Sequence, residues 1–456
     1  MESNNILIKG LIVAGMILAM LIPIQLVKSL ISEREETKDT VENEISSKWG
    51  GQQHVKGPVL VLPYLQKKLL VNGQDNKDKS EEVYVTKYAY FLPDDLSITG
   101  DISTEERART LYQALVYQSK MDISGSFSNP DYEKLRIKNG NIKWDEAFLM
   151  IGVSNLQGIK NKITVNMDGK ELVVQPGVPK NEIIKTGITI KMPIDADNMK
   201  EKYSFDLKLL LNGTDNLTFS PIGKETKVDL KSDWGTVSFM GDFLPSKRDL
   251  ENGFSAQWDI FDYNRNYSQA WIGENSELDN SQLGVELRLP INQYQKNMRA
   301  IKYAIMFIAL TFVAFFLVEL LSKKRIHPMQ YILVSFALIL FYTLLLSLSE
   351  HIGFGLAYLI SSGAIILLVS AYSISIFKSN KQAVMMGVFL IILYTYLYVV
   401  LQLEDMALLF GSIGLFIALA TVMFVSRKLN WYDLGINNKS KGTPNQEVTP
   451  PPFNID

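Results

Sequence analysis

Two pairs of ionisable side chains sit where few are expected. Glu350 and His351 lie in Ser347–Gly355, SLSEHIGFG, and Glu404 and Asp405 in Leu401–Met406, LQLEDM, each pair wedged between two long apolar runs. Charged groups at the border of hydrocarbon are costly and often mark ion, proton or headgroup sites. Glu350, His351, Glu404 and Asp405 therefore form a candidate polar cluster for a cation, a proton or a lipid headgroup. Four oxygen and nitrogen donors also resemble a metal set, but no spacing brings them together, so no metal ligand is assigned. Ser349, His351 and Asp405 contain the residue types of a nucleophile, base and orienter. Adjacent Ser and His on one turn rarely reach that geometry, and no oxyanion hole is indicated. A purely structural reading is preferred: carboxylates in the first turn of a helix meet its unpaired N–H groups and the positive end of its dipole.

Little other chemistry is written in the chain. Cysteine is absent, which removes disulfides, thiolate catalysis and Cys-based metal sites. No phosphate loop, G-x-S-x-G elbow or H-E-x-x-H occurs. No catalytic residue or cofactor is expected. His54 reads as an ordinary surface histidine, and the triplets at Asn212 and Asn216 as turns. A net charge of −2 without a basic stripe excludes a nucleic-acid partner.

The elements that must position the four side chains are membrane spans. About twenty apolar residues cross the hydrocarbon as a helix, and six stretches qualify: 6–27, 300–321, 329–348, 354–377, 383–403 and 406–426. The first lacks a cleavage site and reads as an uncleaved anchor. Lys323, Lys324 and Arg325, then Lys378 and Lys381, then Arg427, Lys428, Lys439 and Lys441 fall in alternate short loops, which the positive-inside rule places in the cytoplasm. Both termini are then cytoplasmic and residues 29–297 lie outside. Lys28, Arg34, Lys38, Lys296, Arg299 and Lys302 flank that long segment on its outer side, but long domains translocate largely regardless of charge. Within the spans, Glu319 with Lys323 reads as an i,i+4 pair and Lys9 as snorkelling to the inner surface. Gly353 with Ala357, and Gly414 with Ala418, would let helix backbones approach. Trp431 and Tyr432 read as headgroup anchors, and the tail with TPPPF as disordered.

Residues 29–297 are polar and patterned differently. ISEREETKDTVENEISSK extends the first helix out of the membrane until Gly50-Gly51 stops it. Period-two patterning then predicts strands at 58–64, 83–91, 203–211, 254–260 and 283–289. Asp168-Gly169 marks a hairpin, and Ser103–Lys120 reads as a helical turn followed by a strand. The fold class is an integral membrane α-helical protein, one span N-terminal and five C-terminal, with a large inserted β-rich antiparallel sheet or sandwich domain. The divisions are 1–28 anchor, 29–297 periplasmic domain, 298–428 five-helix bundle and 429–456 tail.

GPVLVLPY from Gly57, SDWGTVSFMGDFLP from Ser232, RIHPMQYILVSFALILFYTLLLSLSEHIGFGLAYLI from Arg325 and LQLEDMALLFGSIGLF from Leu401 together resemble the inner-membrane CreD family, in order along nearly the whole chain. The resemblance implies a bacterial inner-membrane protein with a periplasmic domain, tied to cell-envelope integrity, two-component regulation, stress response and colicin tolerance. It supplies no catalytic residue. The expected function is non-enzymatic, with the lipid bilayer as surroundings and a periplasmic protein, peptidoglycan or lipid as ligand. The alternative is a transporter or lipid-handling protein using the acidic turns between helical hairpins.

Overall fold

The computed structural model describes residues 5–71, 80–109, 111–179, 183–197, 199–273, 278, 281–289, 293–322, 326–403 and 406–427. The tail, Trp431, Tyr432 and the basic run 323–325 lie outside these. The chain forms two compact units, Met1–Glu36 with Ile291–Asp456, and Thr37–Pro290.

The first unit is helical. Its helices are α1 (Asn5–Ala19), α2 (Leu21–Trp49, entering the second unit from Thr37), α3 (Gln293–Lys302), α4 (Ala304–Ser322), α5 (Pro328–Ile352), α6 (Phe354–Phe377), α7 (Asn380–Gln402) and α8 (Ala407–Ser426). Among the described residues five candidate spans are long and apolar enough to cross a membrane, six if the bent pair α3 and α4 counts as one. That pair takes the place of the expected second span, 300–321, and begins earlier. It bends by 43° at Tyr303, where the amide bonds back to Ala300 O at 3.1 Å, an i→i−3 link that tightens the turn. N-terminal to the bend, α3 is amphipathic: Tyr294, Asn297, Ala300 and Ile301 are buried, while Lys296 and Arg299 lie between them in sequence and Lys302 follows.

Aromatic rings fill the bundle core. Phe341 meets Tyr342, Tyr358 and Tyr394 edge-on at 4.9, 5.3 and 4.8 Å. The Tyr358 hydroxyl donates to Tyr394 O at 2.7 Å, so it is satisfied where no water competes. Leu356, Leu359, Leu367, Ile392, Phe416 and Leu419 face outward, as expected of a lipid-facing surface.

The second unit is a pair of sheets. One runs Val237–Gly241, Leu283–Leu287, Asn216–Phe219, Gln53–Val71, Phe148–Val153, Gly187–Lys191, Val174–Pro176, with Ser80–Phe91 also on Gln53–Val71. The other runs Lys247–Asp249, Phe254–Phe261, Glu225–Ser232, Asp95–Arg109, Tyr112–Ser128, Lys202–Thr214, Thr164–Met167, Lys170–Leu172. Pairing is antiparallel except for Gln53–Val71 with Asn216–Phe219 and Asp95–Arg109 with Glu225–Ser232. Both sheets feed one apolar cluster. Phe205, Leu207, Leu209 and Leu211 enter it from one face of their strand, the alternation that period-two burial requires. Val59, Leu60, Val61 and Leu62 are all buried, which is why GPVLVLPY reads as an unbroken apolar run.

Ser103–Arg109 is strand throughout, correcting the expected helical turn; Glu105 pairs with Val116 and Glu106 with Leu115. Cross-strand pairing in a long hairpin outweighs the helix propensity of STEERAR. Met167 and Lys170 flank the expected turn, with Asp168 and Gly169 at φ 49° and 81°. Asn212 is no turn residue: it is buried in a strand and accepts from Gln118 Nε2 at 2.9 Å. Gly50 ends α2 at φ 136°, and Gln53 Nε2 then donates to Gly50 O at 2.8 Å and Asn212 O at 3.1 Å.

Candidate functional site

The turn between α5 and α6 holds the first expected pair. Glu350 sits in the last turn of α5, not in the first turn of the next helix, because α5 runs to Ile352 and the chain reverses at Gly353, φ 78°. A carboxylate there sits at the negative end of the helix dipole, the reverse of the favourable arrangement expected from sequence. His351, in the same turn, is exposed and suited to that end when protonated. Glu350 is held instead by α3: Tyr294 Oη donates to its Oε1 at 2.8 Å. One turn along α3, Asn297 Nδ2 donates to Ser349 Oγ at 2.9 Å and to Gln293 O at 3.0 Å. Ser349 is buried, and its hydroxyl donates to Leu346 O at 2.9 Å. A buried serine so engaged beside an exposed histidine does not make a nucleophile and base. Lys296 lies 5.6 Å from the Phe354 ring centroid, within cation–π range. Glu404 and Asp405 lie outside the described residues.

At the other end of α5 the sequence HPMQY forms a second constellation. His327 is the N-cap, accepting from Met329 N at 3.2 Å; Pro328 opens the helix, and Gln330 Oε1 accepts from His327 N at 3.0 Å. Two orphan amides are thereby satisfied reciprocally. Glu319 of α4 is 7% exposed and gathers three donors: Lys9 Nζ, Ile326 N at 3.0 Å and Tyr331 Oη at 3.0 Å. Lys9 also donates to Ile326 O at 2.7 Å. So Lys9 does not simply snorkel, and Glu319 pairs with the first helix; Lys323 lies outside the described residues. Gly414 also differs from expectation. Its missing side chain makes room for the Tyr396 ring, whose hydroxyl donates to Phe410 O, so the close approach is ring to backbone.

The sheet unit carries an open cavity of about 450 Å³ lined by Asp101, Lys231, Asp233, Asp249, Asn252 and Ser255. Asp101 and Lys231 are paired at 3.2 Å. His54 is half-buried, not free surface; Nδ1 meets Thr218 Oγ1 at 2.8 Å and Nε2 meets Ser220 Oγ at 3.0 Å. Among the described residues no group of three or more His, Asp or Glu is placed to hold a metal. On the helical stretch 37–49, Glu44 is bonded by Arg109 and Lys48, which hold its carboxyl down at about 2.

The family described as inner membrane protein CreD matches residues 5–432. The chain belongs to the CreD family. Inner membrane protein CreD of Escherichia coli (strain K12) is 34% identical over 439 residues, covering 95% of each chain. Among solved structures, the M1 zinc metallopeptidase from Deinococcus radiodurans overlays at a TM-score of 0.18 and 7% identity, over 43% of this chain and 42% of that one. So slight a likeness carries no argument. This CreD-family chain is a multi-pass inner-membrane protein, and the two sequence blocks most specific to the resemblance, HPMQY and SLSEH, are the two ends of α5. Each block is where α5 is fastened, to α4 and α1 at one end and to α3 at the other.

Tyr294, Asn297 and Tyr331 were not singled out by sequence. For Tyr331 a signal existed: His-Pro-x-Gln is an N-cap with proline at the first helical position and glutamine at the third. Tyr294 and Asn297 share a face of α3 by their three-residue spacing, but nothing local names their partners.

Proposed function

We propose that this protein serves cell-envelope integrity without catalysing a reaction, and that its sheet unit is periplasmic and binds a protein, peptidoglycan or lipid partner. Both termini are cytoplasmic in this reading, with residues 1–28 as anchor, 29–297 as the periplasmic domain, 298–428 as the bundle and 429–456 as the tail. The observation that carries it is the two-sheet unit, spliced between membrane helices and bearing an open polar cavity at Asp101, Lys231 and Asp249. Alternation of basic loops supplies the orientation. Stress response and colicin tolerance belong to the same reading. The test has two arms. A periplasm-dependent reporter inserted within 29–297 should be active and a cytoplasm-dependent one silent. The full chain in nanodiscs should co-sediment with purified peptidoglycan or anionic vesicles, and Asp101→Asn with Asp249→Asn should weaken this. Activity of the cytoplasmic reporter alone removes the reading, as does sedimentation no better than that of empty nanodiscs.

A transporter or lipid-handling role is favoured by the bent pair α3 and α4, since broken helices with polar groups at the break build transport sites. Glu350→Gln should then abolish complementation of an envelope phenotype at unchanged protein level; unaltered complementation discards this alternative.

A further inference from the structure

The contact between α3 and α5 has more acceptors than donors. Asn297 is only 2% exposed. Its amide nitrogen has two acceptors, yet its Oδ1 is buried and meets no donor. A buried polar atom left so is a strong penalty unless something fills the place. Next along α5 from Ser349, which Asn297 bonds, stands Glu350, half-buried at the carbonyl end of the helix and bonded by the neutral hydroxyl of Tyr294. A hydroxyl donates a proton but does not compensate a charge, and the helix end adds partial negative charge of its own. Both defects have the same sign. The cationic side chains nearby are otherwise disposed: Lys296 lies over Phe354, Arg299 has a partner, and His351 is exposed.

We propose that this contact binds a monovalent cationic group at Asn297 Oδ1 and the Glu350 carboxylate, with the last carbonyls of α5 as further donors. Every offered atom is oxygen, the choice of hard cations. A single carboxylate among the described residues suits one positive charge better than two. Helix C-terminal ends coordinate sodium in membrane transporters for the same electrostatic reason. The group is either a free sodium ion or the ammonium of a phosphatidylethanolamine headgroup, which share this chemistry. The site stands whether or not the sheet unit lies in the periplasm.

The full chain in phosphatidylcholine nanodiscs is unfolded thermally in choline chloride and in sodium chloride at equal ionic strength. Sodium is expected to raise the midpoint saturably, by about 3 °C or more. If the headgroup is the occupant, phosphatidylethanolamine nanodiscs give the rise in choline chloride alone. Glu350→Gln should raise the half-saturating concentration at least about tenfold, and Asn297→Asp, which keeps an oxygen and adds a charge, should lower it. Radioactive sodium on the wild-type chain, displaced by unlabelled sodium but not by choline, gives a reading independent of variant folding for the free-ion case. No rise in either lipid and no displaceable sodium would mean that water alone fills the contact, and the proposal falls. It falls equally if the rise persists unchanged in Glu350→Gln combined with Asn297→Leu, because the cation then sits elsewhere.

Discussion

Replacing Lys9 by alanine strips the only cation that pairs, among the described residues, with a carboxylate that is 7% exposed. Glu319 keeps two neutral donors, Tyr331 Oη and Ile326 N, both at 3.0 Å, but its charge stays buried without compensation. Breaking a buried pair from one side costs about 3–5 kcal/mol. The Lys9 side chain is 22% exposed, so part of the field is already screened and about 3 kcal/mol is expected. Glu319→Leu should cost a similar amount for a different reason, because two buried donors lose their acceptor at about 1–3 kcal/mol each. Lys9→Ala with Glu319→Leu removes both charges. It should cost about as much as Glu319→Leu alone, about 3 kcal/mol, since the same two donors are stranded and no buried charge is left without a partner. The singles and the double therefore form a cycle with a coupling of about 3 kcal/mol. Reversible unfolding of the full chain in mixed micelles, followed by circular dichroism across a sodium dodecyl sulfate titration, measures all four corners. Additive single effects, or a Lys9→Ala loss below about 0.5 kcal/mol, would refute the reasoning, because a screened surface pair behaves that way.

Three further outcomes are expected. Gly50→Ala should destabilise the sheet unit by about 1–3 kcal/mol, since φ 136° excludes a side chain and the added carbon meets the Gly158 backbone, read by denaturant midpoint. Trp258→Ala removes a fully buried ring whose Nε1 donates to Phe243 O at 3.0 Å and should cost about 3–5 kcal/mol by the same measurement. On acidification, Glu44 remains charged in the folded state down to about pH 2 while the unfolded carboxyl protonates near 4.5. Its depressed value means that the unfolded state takes up protons first, so this contribution is present above pH 4.5 and is lost as pH falls toward 2. Glu44→Gln should flatten that part of the pH profile.

The spans were legible because twenty-residue apolar runs have few other uses, and the strands because Phe205 to Leu211 alternate between core and solvent. Where the reading failed, a non-local partner decided. Ser103–Arg109 became strand because Tyr112–Ser128 folds back along it. Glu350 was assigned to the wrong helix because the boundary depends on the φ of Gly353, which no pattern in SLSEHIGFG announces. The bend at Tyr303 has no proline to signal it. Glu319 and Lys9 are 310 residues apart, and a contact so distant leaves no periodic trace, whereas Lys323 at four residues is the partner that local spacing suggests.

That separation sets an order of assembly. The ribosome delivers α1 with Lys9 long before Glu319, Ile326 and Tyr331 exist to receive it. During the synthesis of some three hundred intervening residues, the earliest helix must wait in the bilayer with its ammonium turned to the lipid headgroups. So early a segment is thus locked only late, and a ribosome stalled before α4 would leave it unclasped.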